Sequence, residues 1–357
     1  MKQMALVLQG GGALGAFEYG VVAALVERGW QPTAVTGVSI GAINAAAVAG
    51  APGGDICASL HKLWAAITLP EVPWLPASQQ GSLSLFGNPN FYKPRTDYFD
   101  MLSWTSLCST LPMYTTLNKH CDFEQINDPA HMRLAVTSTN LQTGGPTTFS
   151  NHLAHGAERI VAEGHIAHRT SIDAAHIIAS GSLPPGFGAT EINGTQFWDG
   201  GLFSNTPIDA LLNLLEPDEI ETLPIFVVDL FPSEGLPLPT NLVEVQTRTI
   251  ALQYQNRFWA QYGGTEGLQG FIQMLAELER ELPQGSALRG RASYQWLMRL
   301  RALKNVQVIQ AAEPPLTGGA DFSPYGVSNA YQAGRDAVEK HFGNAPQGAQ
   351  EAAAALT

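Results

Sequence analysis

The chain has 357 residues, of which 45% are hydrophobic and only 14% are charged, so a disordered, highly solvated chain is excluded. Its 31 acidic and 19 basic residues give a net charge of −12, which argues against a nucleic-acid partner because such partners select a basic face. Cys57, Cys108 and Cys121 follow neither a metal-ligand spacing nor a disulfide pattern, and this indicates a reducing compartment.

No segment of the sequence is typical of a signal peptide or of a membrane span. The apolar run at residues 4–8 is too short for the hydrophobic part of a signal peptide and continues directly into glycines. The alanine-rich run at 43–51 is far shorter than the roughly 18 apolar residues of a spanning helix. The sequence therefore predicts a soluble, cytoplasmic protein and leaves peripheral contact with a membrane open.

Strand-like runs alternate with helix-like patterns in the first part of the chain. Helices are predicted at 15–28 and 39–50, each directly after a strand. The predicted strands are residues 4–8, 34–36, 133–138, 224–230 and 306–310. Such alternation indicates an α/β fold with a buried, largely parallel sheet.

The composition changes twice further along. Residues 70–120 are rich in Pro, Ser and aromatic side chains, which predicts either an excursion over a pocket or an irregular packed loop. From residue 241 the pattern becomes one of long helices, and a closing helix is predicted at 324–342. We divide the chain into a core domain at 1–215, a mainly helical extension at 216–345 and a flexible tail at 346–357.

A glycine-rich loop follows the first predicted strand and opens a helix. It has the sequence GGGALG and contains Gly10, Gly11, Gly12 and Gly15. Without a Cβ, backbone N–H groups can converge on a small anion, and the helix N-terminus adds positive potential. The loop therefore fits a dinucleotide pyrophosphate site, an oxyanion hole for acyl transfer, or simply a tight strand-to-helix turn.

The dinucleotide interpretation requires an acidic residue about 20 positions further on, at the end of the second strand, to bind the ribose. That place is occupied by residues 36–39, and Glu27 lies inside the first helix, so the dinucleotide interpretation fails.

Gly37, Ser39 and Gly41 belong to the sequence GVSIG. The pattern G-x-S-x-G between a strand and a helix is typical of a nucleophile elbow. The simpler alternative is that Ser39 caps the helix that follows.

A nucleophilic serine needs a base. Eight of the nine histidines precede residue 200, and only His341 is available in the order serine, acid, histidine that α/β-hydrolases use. Asp199, followed by Gly200 and Gly201, lies directly after an apolar stretch, where burial would raise its basicity. Taken alone, the sequence Asp-Gly-Gly is also typical of a hairpin turn.

In this order and spacing, GGGALG, GVSIG and DGG resemble the motifs of the patatin-like phospholipases over about residues 4–215. The resemblance implies a three-layer α/β/α fold with a mostly parallel central sheet. It implies that Ser39 is the nucleophile, that Asp199 is the base and that Gly10, Gly11 and Gly12 form the oxyanion hole. Residues 179–185, 205–207 and 321–323 are similar to stretches of bacterial members that carry a C-terminal extension.

The resemblance implies hydrolysis of lipid or other carboxylic esters through an acyl-enzyme, without a catalytic histidine, a cofactor or a metal. His152, His155, His165 and His168 are close in sequence, but their polar surroundings favour a solvated face over a metal site. Two alternatives remain: a depolymerase of intracellular polyester such as polyhydroxybutyrate, and a non-catalytic α/β module that binds an anion. Oligomeric state, acyl chain length and head group cannot be predicted from these motifs.

One position departs from the family pattern. Many members have Lys or Arg where this chain has Leu14. The N–H donors of the loop do not depend on that cation, so ester hydrolysis is expected to survive its loss. A point charge near the oxyanion or a substrate phosphate is absent, however, and neutral esters are therefore expected to be better substrates than anionic phospholipids.

A basic segment lies in the extension. Between residues 289 and 304 there are five positive charges and no acid, interleaved with apolar side chains. Such a helix can lie on a membrane surface, although an ordinary helix with its apolar stripe turned inward is the stronger expectation. The cations are Arg289, Arg291, Arg299, Arg301 and Lys304.

Overall fold

A computed structural model describes residues 1–155, 157, 167–232, 238–255, 264–312 and 319–343. The predicted tail at 346–357 and His165 lie outside these residues. The strands are β1 (Lys2–Leu8), β2 (Trp30–Gly37), β3 (Lys93–Pro94), β4 (Cys108–Ser109), β5 (Arg133–Asn140), β6 (Pro146–Ser150), β7 (Ala167–Arg169), β8 (Thr190–Ile192), β9 (Thr195–Asp199), β10 (Ile225–Asp229) and β11 (Val306–Gln310). The α-helices are α1 (Gly15–Glu27), α2 (Ile40–Ala49), α3 (Ile56–Ile67), α4 (Ala77–Gln80), α5 (Leu111–His120), α6 (Phe123–Ile126), α7 (Ala174–Ser180), α8 (Ile208–Leu212), α9 (Leu242–Tyr254), α10 (Gly264–Glu281), α11 (Ala292–Arg299) and α12 (Pro324–Gly343).

The central sheet has the strand order β11-β10-β1-β2-β5-β6-β7. The five strands from β11 to β5 are parallel, as the strand–helix alternation predicts. β6 is antiparallel to β5, and β9 is antiparallel to the carboxyl half of β5. The short strands β6 to β9 were not predicted, because runs of three to five residues with polar neighbours carry little periodicity.

Helices cover both faces of this sheet. Along β1, Met4, Leu6 and Leu8 enter one hydrophobic core, while Ala5 and Val7 enter the other, as the alternation of a strand dictates. Helices α1, α2, α3, α5, α7 and α12 contribute to the first core, and α8 and α10 contribute to the second. The expected three-layer α/β/α fold is confirmed.

The chain beyond residue 215 extends the same sheet. β10 pairs directly with β1, and β11 pairs with β10. Helix α12 packs along α1, where Arg335 forms two hydrogen bonds, of 2.8 and 2.6 Å, with the Glu27 carboxylate and Tyr331 contacts Tyr19. The division of the chain at residue 215 stays a prediction. None of the helices in the described parts of the chain is long and apolar enough to cross a membrane.

Candidate active site

Strand β5 brings Ser39 and Asp199 to one place. Its first half pairs with β2, with Gly37 opposite Val136, and Ser39 follows two residues later. Its second half pairs with β9, where Asp199 lies opposite Ser138. The two side chains therefore meet at the carboxyl end of the parallel strands, which is where open α/β sheets bind their ligands. The Ser39 side chain is close enough to the Asp199 carboxylate to lower its pKa.

Ser39 has the strained backbone of a nucleophile elbow. Its φ of 55° and ψ of −125° lie in a region that non-glycine residues rarely adopt. The turn is possible because Gly37 and Gly41 are in van der Waals contact: a Cβ on Gly37 would lie 2.2 Å from the Gly41 oxygen. The Ser39 side chain makes no capping bond to α2, so the simple helix-cap interpretation does not describe it.

Asp199 carries a buried carboxylate. Burial raises its pKa from 3.8 to about 6, and the Ser39 side chain and a hydrogen bond from the Gly201 N–H oppose that rise. The Gly201 bond is 2.7 Å long. Gly200 lies against β5, where a Cβ would come 2.2 Å from the Thr137 oxygen. A group with this pKa is largely ionised at neutral pH and still basic enough to accept a proton.

The glycine loop lies beside Ser39. A Cβ on Gly10 would come 2.8 Å from the Ser39 Cβ. The Gly10 N–H donates to Asn205 Oδ1 at 3.0 Å, so it is already bonded. The N–H groups of Gly11 and Gly12, by contrast, have no acceptor among the described residues. Gly12 has a φ of 60°, a left-handed conformation that favours glycine.

Asn205 anchors the loop, and the sequence did not single it out for this role. Its Nδ2 donates to the Gly10 and Tyr254 carbonyls, both at 3.1 Å, while its Oδ1 accepts from Gly10. The side chain of the next residue, Thr206, accepts a 2.7 Å hydrogen bond from Gln9. The only signal was the resemblance of residues 205–207 to a family motif, which named no contact.

A second buried network ties together the helices that follow the two loops. Asn44 on α2 donates to the Glu18 carboxylate and to the Gly15 carbonyl, each at 2.9 Å. Its Oδ1 accepts from Trp64 Nε1, also at 2.9 Å. Burial raises the pKa of Glu18 well above the usual range, and the hydrogen bond from Asn44 opposes that rise. The network fixes α1 against α2, and Gly15 lies in direct contact with Ile40 where the helices begin.

A mostly apolar cavity of about 260 Å³ opens beside the two side chains. Its walls come from α2, α7, the 70–120 segment and the chain beyond residue 215. The excursion interpretation of 70–120 is therefore the one that the structure favours, since Phe91, Tyr92 and Met113 line the cavity. The extension contributes Phe231, Ile250, Tyr254, Gly319, Ala320 and Phe322.

Residue 14 faces away from this cavity. Leu14 lines a second cavity of about 340 Å³, behind the glycine loop, together with Phe17 and Leu230. Residues 319–322 separate the two cavities, and the Gly319 carbonyl accepts a 2.7 Å hydrogen bond from the Ala13 N–H. The absence of a cation at position 14 therefore removes no charge from the lining of the first cavity.

The histidines lie elsewhere. His341 on α12 is half-buried beside Phe226, its Nε2 lies 3.0 Å from Gln307 Oε1, and burial lowers its pKa. His152 is hydrogen-bonded to Glu216. Among the residues that the structure describes, no three His, Cys, Asp or Glu side chains form a group that could hold a metal ion.

The basic segment is largely neutralised inside the fold. Arg299 is buried and donates to the carbonyls of Leu212, Leu215 and His155. Arg289 pairs with Glu279, while Arg301 and Lys304 both pair with Glu221. Ordinary inward packing therefore describes α11 and the turn after it better than a basic membrane-binding face.

A comparison with known protein families agrees with these motifs. A family model described as patatin-like phospholipase matches residues 6–212, more than half of the chain. Among solved structures, the chain is similar to VipD from Legionella pneumophila, with 15% sequence identity, a TM-score of 0.41, and coverage of 96% of this chain and 67% of that chain. We draw no conclusion about this chain from a similarity at this TM-score and sequence identity. The sequence has no match among curated proteins.

Proposed function

The chain belongs to the patatin-like phospholipase family, a family of lipid hydrolases, and from that premise we propose that it is a serine acyl hydrolase that cleaves carboxylic esters of lipids. One observation carries the proposal: Ser39, on a strained turn of the backbone, lies beside the buried Asp199 carboxylate at the wall of an apolar cavity. Such a pair supplies a nucleophile and its base, and the cavity offers an apolar environment to an acyl chain.

In the proposed first step, Asp199 accepts the proton of Ser39 as the serine oxygen attacks the ester carbonyl. The tetrahedral intermediate collapses, and Asp199 returns the proton to the leaving alcohol, which leaves an acyl-serine. In the second step, Asp199 accepts a proton from water, the hydroxide attacks the acyl-serine, and Ser39 recovers its proton. The fatty acid is released, and no cofactor is consumed.

The N–H groups of Gly11 and Gly12 are the donors that we assign to the oxyanion. Both lack an acceptor among the described residues, and Gly12 begins the turn that leads into α1. Donors of this kind typically contribute about 100- to 1,000-fold to turnover. In this proposal Gly10 shapes the loop, since its own N–H is bonded to Asn205. Gly15, Gly37, Gly41, Gly200 and Gly201 permit the close contacts around the dyad.

Labelling with a fluorophosphonate probe tests the proposal. We expect stoichiometric labelling of the wild type, none of Ser39→Ala, and strongly slowed labelling of Asp199→Asn, with the circular dichroism of all three unchanged. A panel of p-nitrophenyl esters, glycerides, phospholipids and hydroxybutyrate oligomers then identifies the ester class. A folded wild-type protein that neither reacts with the probe nor hydrolyses any ester of the panel would disprove the hydrolase function.

A further inference from the structure

A projection formed by residues 95–107 leaves the fold beside the catalytic cavity. It lies between β3 and β4, which pair with each other in a small antiparallel ladder. The projection is fixed at its base: the Leu107 N–H donates to the Pro185 carbonyl at 2.9 Å, and Cys108 forms a β-bridge to Phe187. Because Phe187 lines the cavity, the projection begins at the cavity wall.

The tip of the projection turns its apolar side chains outward. Phe99 and Leu102 are fully exposed, and Tyr98 and Met101 are more than half exposed. Arg95, in contrast, braces the turn: it is hydrogen-bonded to Asp97 through two nitrogens, and its guanidinium lies 5.0 Å from the centre of the Trp104 ring. Exposed apolar groups on a braced turn, as opposed to a frayed end, indicate a surface that is covered during function.

Further exposed apolar side chains extend this surface around the cavity. Leu111 follows Thr110, which lines the cavity, and Phe203 lies between the lining residues Asp199 and Asn205. Exposed Phe86 is two residues from Ser84, whose carbonyl accepts a hydrogen bond from Tyr92, another lining residue. We call the projection together with these exposed side chains the apolar rim, since each of them is close in sequence to a residue of the cavity lining or to a residue bonded to it.

The charges select the kind of partner. Residues 72–118 contain only Lys93, Arg95, Asp97 and Asp100, two cations and two acids that cancel. The rest of the chain therefore carries the entire net charge of −12. A rim without excess cations has no electrostatic attraction to an anionic lipid surface. The negative charge on the rest of the chain is repelled by such a surface. The complementary partner is an uncharged or zwitterionic lipid surface.

We propose that Phe99 and Leu102 insert into the surface of zwitterionic lipid and so bring the mouth of the catalytic cavity to the level at which the ester groups lie. The inference rests on the proposed hydrolase function for its purpose, because an enzyme that takes lipid esters from an aggregate must dock on that aggregate. It does not rest on that function for its test, since binding is measured in a protein that cannot hydrolyse the lipid.

The binding test uses vesicles of pure phosphatidylcholine and proteins that all carry Ser39→Ala. We expect Phe99→Ser with Leu102→Ser to lower the partition coefficient by about tenfold or more, since the burial of even one side chain of this size contributes that much. The matched control is Met274→Ser with Leu278→Ser, because these partly exposed residues lie on α10, across the sheet. The control should bind as its parent does. Raising the salt concentration should not weaken binding. Replacing phosphatidylcholine by phosphatidylglycerol should weaken it.

A second readout separates docking from catalysis. With Ser39 intact, Phe99→Ser with Leu102→Ser should keep kcat/KM for monomeric p-nitrophenyl butyrate within about twofold and lose about tenfold on esters held in phosphatidylcholine vesicles. If the wild type binds vesicles but hydrolyses neither ester, the proposed function fails and the docking inference stands. The docking inference is overturned if the parent does not bind, if the tip variant binds equally well, or if the control loses as much. It is also overturned if the tip substitutions convert a dimer into a monomer, because the rim would then be a subunit interface.

Discussion

Replacing Asp199 by Asn should make the protein more stable at neutral pH while removing its activity. The folded protein holds this carboxyl at a pKa of about 6, whereas the unfolded chain holds it at 3.8, because burial disfavours the ionised form. At about 1.4 kcal/mol per pKa unit, the ionised carboxylate costs the folded state about 3 kcal/mol above pH 7. Asparagine is neutral, can accept from the Gly201 N–H and avoids this cost.

The sign and the pH window follow from linkage. Because the pKa of Asp199 is higher in the folded state than in the unfolded state, the contribution of this carboxyl to the free energy of unfolding is fully present below pH 3.8. That contribution is lost as the pH rises through about 6. The advantage of Asp199→Asn should therefore be about 3 kcal/mol at pH 7.5 and about 1 kcal/mol at pH 4.5. With an unfolding entropy of about 2.1 cal/mol/K per residue, the larger value raises Tm by about 4 °C in a chain of 357 residues.

Thermal and denaturant unfolding at the two pH values measure this difference. Asp229 and Glu18, whose pKa values burial also raises, titrate in both proteins, so the comparison between variants isolates Asp199. Ser39→Ala is the matched control: it abolishes turnover, leaves the carboxylate ionised and removes a side chain that lowers its pKa, so it should not raise Tm. The buried charge is not the cause of the stability difference if Asp199→Asn raises the free energy of unfolding equally at both pH values, or does not raise it at pH 7.5.

Four further outcomes are expected. The pH profile of kcat/KM should fall about tenfold per pH unit below a limb near pH 6, set by Asp199, and a limb near pH 4 would contradict the raised pKa. His341→Ala should keep turnover within roughly threefold, because the residue packs on Phe226 away from the cavity, and turnover as low as that of Ser39→Ala would make His341 the base. Leu14→Lys should not increase hydrolysis of phosphatidylglycerol relative to a neutral ester, which the ratio of the two rates measures. Arg299→Met should lower the unfolding free energy by about 1–3 kcal/mol in urea titrations, since three buried carbonyls lose their donor, while kcat/KM stays unchanged.

The fold and the turn at Ser39 could be predicted because both depend on local patterns, whereas the pairing of Ser39 with Asp199 was implied only by the resemblance to the patatin-like phospholipases. Strand, glycine loop and helix follow one another twice within the first 50 residues, and an α/β fold is the arrangement that buries such units. The elbow at Ser39 could also be predicted, because only glycines at positions 37 and 41 permit the contact that the turn requires. In both cases the residues that show the sequence pattern also make the contacts of the predicted element, so no distant segment is needed to predict it.

What the sequence could not predict depends on contacts between distant segments. Gly10 and Asn205 are 195 residues apart, and no periodicity indicates that the amide of one would occupy the N–H of the other. The orientation of Leu14 depends on α12 and on residues 319–322, which pack behind the loop. The sequence does not indicate which cations of the basic segment are buried: Arg299 is buried because the carbonyls of Leu212 and Leu215 accept its hydrogen bonds.

The chain beyond residue 215 is part of the reason that the site has its shape. β10 covers the edge of β1, the strand from which the glycine loop leaves, and the Gly319 carbonyl bonds to the Ala13 N–H at the other end of that loop. Between these two contacts the N–H groups of Gly11 and Gly12 are held in place, yet they remain without an acceptor among the described residues. A loop that must present unpaired donors cannot be stabilised through those donors, so its stability has to come from its neighbours. The extension supplies two of these neighbours, and Asn205 supplies the third.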